Sequence, residues 1–239
     1  MKESNRARLL ALNARFYREF AASFSATRQR LQPGVEHLLP TLQPAGRLLD
    51  LGCGNGELAR RLVQGGFSGM YMGIDFSLEL LAFTPLPRGG EMSFHLADLS
   101  SPTWDTLLPA APFDAILAFA VLHHLPGEDT RLRLLQQIRT HLALNGQFIF
   151  SVWQFQNSPR LAGHRLPWET VGLSASDVDE GDTLLDWRQG GRGIRYMHQF
   201  SEAELARLAQ SSGFTLQNSF YSDGRSGDLA LYQVWSPQN

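Results

Sequence analysis

Lysine and cysteine are nearly missing from this chain. Of its 21 basic residues only Lys2 is a lysine, so its cationic contacts are guanidinium forks rather than ammonium point charges. Cys53 is the single cysteine, which excludes a disulfide within the chain and argues against a thiolate metal site; no metal is expected. Net charge is also small, at −2 with a pI near 6.4, so the protein as a whole is not a general polyanion binder. No apolar run approaches the roughly 18 residues that span a bilayer, and the N-terminus is too charged for a secretory signal. A soluble, cytoplasmic protein without membrane contact is expected.

What the chain does have is 239 residues, 43% of them hydrophobic, enough for one substantial core. Leu9, Leu12, Phe16, Phe20 and Phe24 recur at helical spacing, which predicts a helix over Asn5 to Arg30, ended by "LQPG". Strands are then predicted at 47–51, 70–74, 93–97, 113–118, 147–153, 215–220 and 229–235, alternating at first with helices at 56–64, 77–83, 128–142 and 202–212. "SEAE" from Ser201 reads as a capping box and Gly213 as a helix stop. Such alternation predicts an α/β fold, a Rossmann-like, mostly parallel sheet with helices on both faces. The polar turn "SDGRSGD" lets the last two strands form an antiparallel hairpin at one edge. Asn157 to Arg195 breaks the rhythm with an acidic run and "RQGGRGIR", and is expected as a partly mobile insertion. The expected organisation is a single domain over 1–239. It divides into an N-terminal helical cap (1–33), a cofactor-binding core (34–153), a lid or substrate insertion (154–198) and a C-terminal helix with hairpin (199–239).

The densest chemistry is "LLDLGCGNGE". A strand delivers Asp50, and Gly52, Gly54 and Gly56 then turn the backbone into a helix while leaving it bare enough to lie against a ligand. A dinucleotide fold would use G-x-G-x-x-G with pyrophosphate at the helix start, and Asp50 would oppose that anion. A cationic, phosphate-free cofactor fits better. S-adenosylmethionine carries a sulfonium, an ammonium and a carboxylate. "YMGID" ends the second strand at Asp75, nineteen residues after Gly56, where a carboxylate accepts from ribose hydroxyls. "FHLADL" ends the third strand with Asp98 and Leu99, suited to an adenine amino group and ring. Cys53, Asn55 and Phe76 flank these turns and complete the expected cofactor surface, with Phe119 and Ala120 at the end of the fourth strand and Tyr17 from the first helix, the last with core packing as an equal alternative.

Three acidic strand ends in this order resemble the seven-stranded class I S-adenosylmethionine-dependent methyltransferases, which implies an antiparallel seventh strand and cofactor across the strand ends. After the fourth strand, "FDAILAFAVLHHL" places His123 and His124 where methyl donor and acceptor meet, as acceptor-holding residue or base, or as packing. A narrower resemblance covers most of the chain. "FYREFAASFSATR", "LDLGCGNGEL", "FDAILAFAVLHHL", "FSVWQFQNS", "LPW" and "RYMHQFSEAELARLAQSSGF" fall in the order seen in the tRNA wobble-uridine carboxymethyl methyltransferases. That resemblance implies esterification of the carboxylate of 5-carboxymethyluridine in tRNA, with a small zinc-binding adaptor subunit as a partner.

A carboxylate is ionised at neutral pH and needs no base; it needs to be held and desolvated. Arg28 is the expected clamp, either for the acceptor carboxylate or for the cofactor's own. Arg188, Arg192, Arg195 and His198 form a candidate RNA-facing loop, with a solvated loop as the alternative. Trp153 and Trp168 are expected to pack rather than stack on bases. A small carboxylate or phenolic metabolite is the alternative acceptor, favoured by the acidic pI and the absence of charge after Asp228. A non-catalytic cofactor-binding adaptor is the second alternative.

Overall fold

A computed structural model describes residues 1–84 and 91–238. Helix α1 (Glu3–Ala26) is followed by α2 (Pro33–Leu42), then β1 (Arg47–Leu51), α3 (Glu57–Gln64), β2 (Met70–Asp75), a single turn α4 (Leu78–Leu81) and β3 (Glu91–Leu96). Next come β4 (Phe113–Phe119), α5 (Glu128–Thr140) and β5 (Leu142–Trp153). An insertion holds α6 (Pro159–Ala162), β6 (Arg165–Leu166), β7 (Asp182–Trp187) and β8 (Gly193–His198). The chain finishes with α7 (Glu202–Ser212), β9 (Phe214–Ser222) and β10 (Ala230–Pro237).

The main sheet has the order β3-β2-β1-β4-β5-β10-β9. β1 to β5 run parallel, and β10 pairs antiparallel with both β5 and β9. This is the seven-stranded class I methyltransferase arrangement. One face packs Leu134, Leu135 and Ile138 of α5 and Leu205 and Leu208 of α7. The other packs Val35 and Leu38 of α2 and Leu58 and Leu62 of α3. Strand order reverses between β1 and β4, so their C-terminal ends splay apart and leave a crevice there.

Three local expectations change. The first helix ends at Ala26, and Pro33 starts a second helix rather than only stopping the first. Proline suits a first helical position because its missing N–H has no partner to lose there. The insertion, in which no strand was expected, builds a second antiparallel sheet, β6-β7-β8. Its Leu184 and Tyr196 pack with Leu9 and Leu12 of α1 in one cluster. Its polar residues hid it. Asp182 accepts from the Tyr196 hydroxyl at 2.6 Å and pairs with His198 Nδ1 at 2.7 Å, so what reads as a solvated acidic run is partly strand. The box at Ser201 is half made: Ser201 Oγ accepts from Glu204 N–H, while the Glu204 carboxylate turns to His198 and Arg131. Among the described residues, no helix is long and apolar enough to cross a membrane.

Candidate active site

The crevice holds a cleft of about 250 Å³ whose wall includes β1, β2 and β4 ends, α1 and β8. On the sheet side, the glycine turn is held by Gly52 and Cys53 N–H groups donating to the Ile74 carbonyl at 2.7 and 3.0 Å. Gly52 has φ +72°, and a Cβ there would meet Val121 at 2.4 Å. Gly54 has φ +56° but open space: a Cβ would find nothing within 4 Å. That bare stretch of backbone is the surface a ligand can lie on. Gly56 sits behind the wall as the N-cap of α3 and is not among the lining residues.

Asp75 ties the turn to β2. Its carboxylate accepts from Gly54 N–H and Ser77 N–H, each at 2.9 Å. The cap of α4 is Ser77, so Asp75 is free of capping duty there and its carboxylate stays on the cleft wall. Burial pushes its pKa up to about 6, against the lowering effect of the backbone donors. Asp50 is buried beside it, accepts from the Tyr71 hydroxyl at 2.5 Å, and is raised by burial to about 7. Asp98 is exposed at the rim and accepts from Ser100 N–H at 2.8 Å, next to buried Leu99. Phe76 is 38% exposed, with its edge against the Tyr17 ring at 5.4 Å. Phe119 and Ala120 complete this side. Ala120 takes φ +58°, unusual for a residue with a side chain, and its N–H donates to Ser151. The Cys53 thiol is buried and pushed well up by desolvation.

The opposite side is aromatic and cationic. His124 uses both ring nitrogens: Nδ1 lies 3.3 Å from the Tyr196 carbonyl and Nε2 lies 2.9 Å from the Tyr17 hydroxyl. A carbonyl only accepts, so Nδ1 carries the proton and Tyr17 donates to Nε2. Burial and the charge of Arg195 lower the His124 pKa to about 3, so the ring is neutral at pH 7. Its Nε2 lone pair, which a general base would use, is committed to Tyr17. His123 is fully buried, and burial pushes its pKa well down. Its Nδ1 accepts from Trp153 N–H, its ring stacks on Trp153, and Nε2 has no partner among the described residues.

Arg28 lies two residues beyond α1. Its guanidinium sits over Phe24 at 4.9 Å and Trp153 at 5.8 Å. Asn55 holds this segment to the glycine turn by donating to Ser25 Oγ at 3.0 Å and the Arg28 carbonyl at 3.2 Å.

Two residues missed as site candidates complete the cleft. Arg195, expected on an RNA-facing loop, is 3% exposed. Its guanidinium lies over Phe16 and Trp187 at 5.0 Å and Trp153 at 5.6 Å. His198 is buried too, so only Arg188 and Arg192 of that group reach solvent. Asn13 grips the β8 backbone, its Oδ1 accepting from Tyr196 N–H at 2.8 Å and its amide donating to the Tyr196 and His124 carbonyls. Trp153 lines the cleft, whereas Trp168 packs in the α1 cluster. Neither Arg28 nor Arg195 forms an ion pair among the described residues.

The cleft therefore pairs buried carboxylates and a bare glycine turn with an aromatic wall carrying two uncompensated guanidiniums. That donor set fits a ligand with cationic centres, an adenosine and a carboxylate; the open space at Gly54 meets its shape.

Residues 22–219 match a family model described as a methyltransferase domain. The tRNA (carboxymethyluridine(34)-5-O)-methyltransferase of Schizosaccharomyces pombe is 26% identical over 215 residues, covering 82% of this chain and 86% of that protein. The trans-aconitate 2-methyltransferase of Streptomyces avermitilis is 36% identical over 143 residues, covering 58% of this chain and 49% of that protein. Among solved structures, Burkholderia thailandensis 1,6-didemethyltoxoflavin-N1-methyltransferase, with its acceptor and S-adenosylhomocysteine bound, aligns with a TM-score of 0.65 at 20% identity, over 100% of this chain and 91% of that one.

Proposed function

The chain belongs to the methyltransferase-domain family and is an S-adenosylmethionine-dependent methyltransferase, and from that premise we propose that its acceptor group is a carboxylate, which it converts to a methyl ester. One observation carries this reading. Buried Arg195 and half-buried Arg28 bring two guanidiniums to the same cleft, neither with a carboxylate partner among the described residues. A buried unpaired charge is costly, and the fold leaves both for anions that arrive with the ligands. A guanidinium binds a carboxylate through two parallel hydrogen bonds, which fixes its direction as well as its position.

When bound, S-adenosylmethionine would supply an electrophilic methyl group on sulfur, and an ionised acceptor carboxylate that takes it becomes a neutral ester. The acceptor is already ionised, so no proton has to move. A neutral His124 engaged with Tyr17 is consistent with chemistry that needs no base. What the residues contribute is orientation and exclusion of water, and such positioning is worth up to roughly 7–11 kcal/mol in ideal cases.

The acceptor we favour is the carboxymethyl arm of a modified tRNA uridine, because the fission-yeast relative named for it aligns over most of both chains. On that reading the protein works in the cytoplasm, and a small zinc-binding subunit would help to present the tRNA. A small carboxylic acid is the second reading, supported by the relative named for trans-aconitate, itself a tricarboxylate. Methyl-labelled S-adenosylmethionine, offered with total tRNA and with a small-molecule extract, tests both. We expect label in tRNA that mild alkali releases as methanol. Alkali-labile label confined to the extract would select the second reading. Label that withstands alkali would refute a carboxylate acceptor.

A further inference from the structure

Resting on that carboxylate reading, we propose that the two guanidiniums divide the anions between them: Arg195 holds the acceptor carboxylate, and Arg28 holds the carboxylate of the cofactor's methionine end. A productive complex contains two carboxylates, one on each substrate; of the three arginines lining the cleft Arg30 is exposed, which leaves half-buried Arg28 and buried Arg195 as the guanidiniums inside it, neither in an ion pair among the described residues. If both arginines served one anion, the other carboxylate would meet one exposed arginine, Arg30, against the carboxylates of Asp50, Glu57, Asp75, Asp98 and Asp223. Each of these carboxylates would repel it if ionised.

The tethers decide which arginine serves which. Arg28 is tied to the sheet side, because Asn55 of the glycine turn donates to Ser25 Oγ and to the Arg28 carbonyl. Its backbone is thereby fixed to the loop that forms the bare cofactor surface, and its guanidinium reaches from there over Phe24 and Trp153. Arg195 comes from β8 of the inserted sheet, and its guanidinium meets Trp153, the ring that Arg28 also overlies. Asn13 clamps its neighbour Tyr196 to α1 from both sides of the peptide, and His124 Nδ1 adds a third hold on the Tyr196 carbonyl. The guanidinium is then caged by Phe16, Trp153 and Trp187. Three aromatic faces partly offset the burial of the cation yet supply no acceptor oxygen. Arg195 Nε is buried without a partner, and beyond a hydrogen bond to the Tyr17 hydroxyl the guanidinium meets no carboxylate within ion-pair distance among the described residues. An almost fully buried, rigidly placed fork without a carboxylate partner is a receptor for a flat anion that reaches in from the acceptor side.

The assignment also gives specificity. An ester, amide or alcohol in place of the carboxylate would leave the Arg195 charge unpaired, so each is rejected. The product is itself such an ester, so its formation removes the anion that Arg195 held.

Binding and turnover together test the division. By calorimetry, S-adenosylhomocysteine and its decarboxylated analogue are titrated into wild type, Arg28→Met, Arg195→Met and Arg195→Lys. Wild type should prefer the carboxylated ligand about tenfold or more. That preference should persist in both Arg195 variants and vanish in Arg28→Met. Alkali-labile methyl transfer, with total tRNA and the small-molecule extract assayed side by side, should fall about 100-fold or more in both Arg195 variants, because an ammonium cannot replace the two-pronged fork. Arg195→Lys keeps the charge, so it is the variant to read if Arg195→Met does not fold. Loss of the ligand preference in a folded Arg195 variant, its survival in Arg28→Met, or undiminished transfer by Arg195→Lys would overturn the division. Alkali-stable label with wild type would instead overturn the carboxylate reading itself.

Discussion

Replacing Asp50 by asparagine should make the ligand-free protein more tolerant of rising pH. Asp50 is 4% exposed, and burial raises its pKa from an ordinary 3.8 to about 7. The folded chain therefore keeps this proton to a higher pH than the unfolded chain does. As pH rises, the unfolded state ionises first and gains the free energy of ionisation, while the folded state does not. Stability is lost between 3.8 and about 7 at about 1.4 kcal/mol per pH unit. Integrated from pH 4.5 to 6.5, the single group removes about 2.5 kcal/mol. Asparagine keeps the shape and still accepts from the Tyr71 hydroxyl, so this slope should disappear while the hydrogen bond remains. Urea unfolding of wild type and Asp50→Asn at half-unit intervals measures it. The stability difference between the two should grow by about 2.5 kcal/mol in favour of the variant across that range. A difference that stays constant with pH would mean that Asp50 is ionised in the folded protein, and the buried-proton reasoning would be wrong.

Gly54→Ala separates fold from ligand: the strain of a side chain at φ +56° should cost about 1 kcal/mol, a few degrees in Tm, whereas cofactor affinity by calorimetry should fall at least about tenfold as the methyl enters the open surface. Tolerance of that methyl with full affinity would place the cofactor elsewhere. His198 bridges Asp182 and Glu204; burial alone would lower its pKa, but the two hydrogen bonds outweigh it and the value is raised above 6.5. The stabilisation is thus complete below pH 6.5 and fades as pH climbs through the folded value, so His198→Gln should cost about 3 kcal/mol at pH 6 and clearly less at pH 9 by urea unfolding. An equal loss at both pH values would remove the charged bridge.

The sheet and half of the site were legible because local chemistry alone dictates them. Asp50 and Asp75 lie at the ends of apolar strands and Asp98 two residues past a third, and alternating glycines after Asp50 have few other uses. Such signals lie within a few residues of one another, where strand length and turn geometry settle the outcome. The cap side was not legible for the opposite reason. Arg195 is followed by Tyr196 and His198, and three polar-tipped residues in a Gly-rich surrounding read as a solvent loop. Only the pairing of Asp182 with His198 and the grip of Asn13, 183 residues away from Tyr196, turn that stretch into a buried strand. Asn13 itself had no signal beyond lying on the apolar side of a helix. Asn55 misled in a subtler way. It does line the cleft, but its amide is spent on holding the Arg28 segment in place.

If the acceptor is the carboxylate proposed above and Arg195 holds it, the two walls of the cleft together explain how so weak a nucleophile can be made to react. A carboxylate in water is slowed by its own hydration, and a guanidinium that merely replaced that water with stronger hydrogen bonds would hold it back as firmly. The surroundings of Arg195 resolve the conflict. Phe16, Trp153 and Trp187 exclude water without offering competing polar groups, so the acceptor oxygens that do not face the fork are left poorly solvated. The fork supplies direction, and the aromatic wall keeps the remaining lone pairs available. Once the ester forms, its oxygens carry no charge and the charge-assisted bonds to Arg195, of the order of 1.5–3 kcal/mol each, fall to ordinary strength. On that proposal the interaction that recruits the acceptor weakens in the act of turnover, and the ester would leave the fork that held its acid.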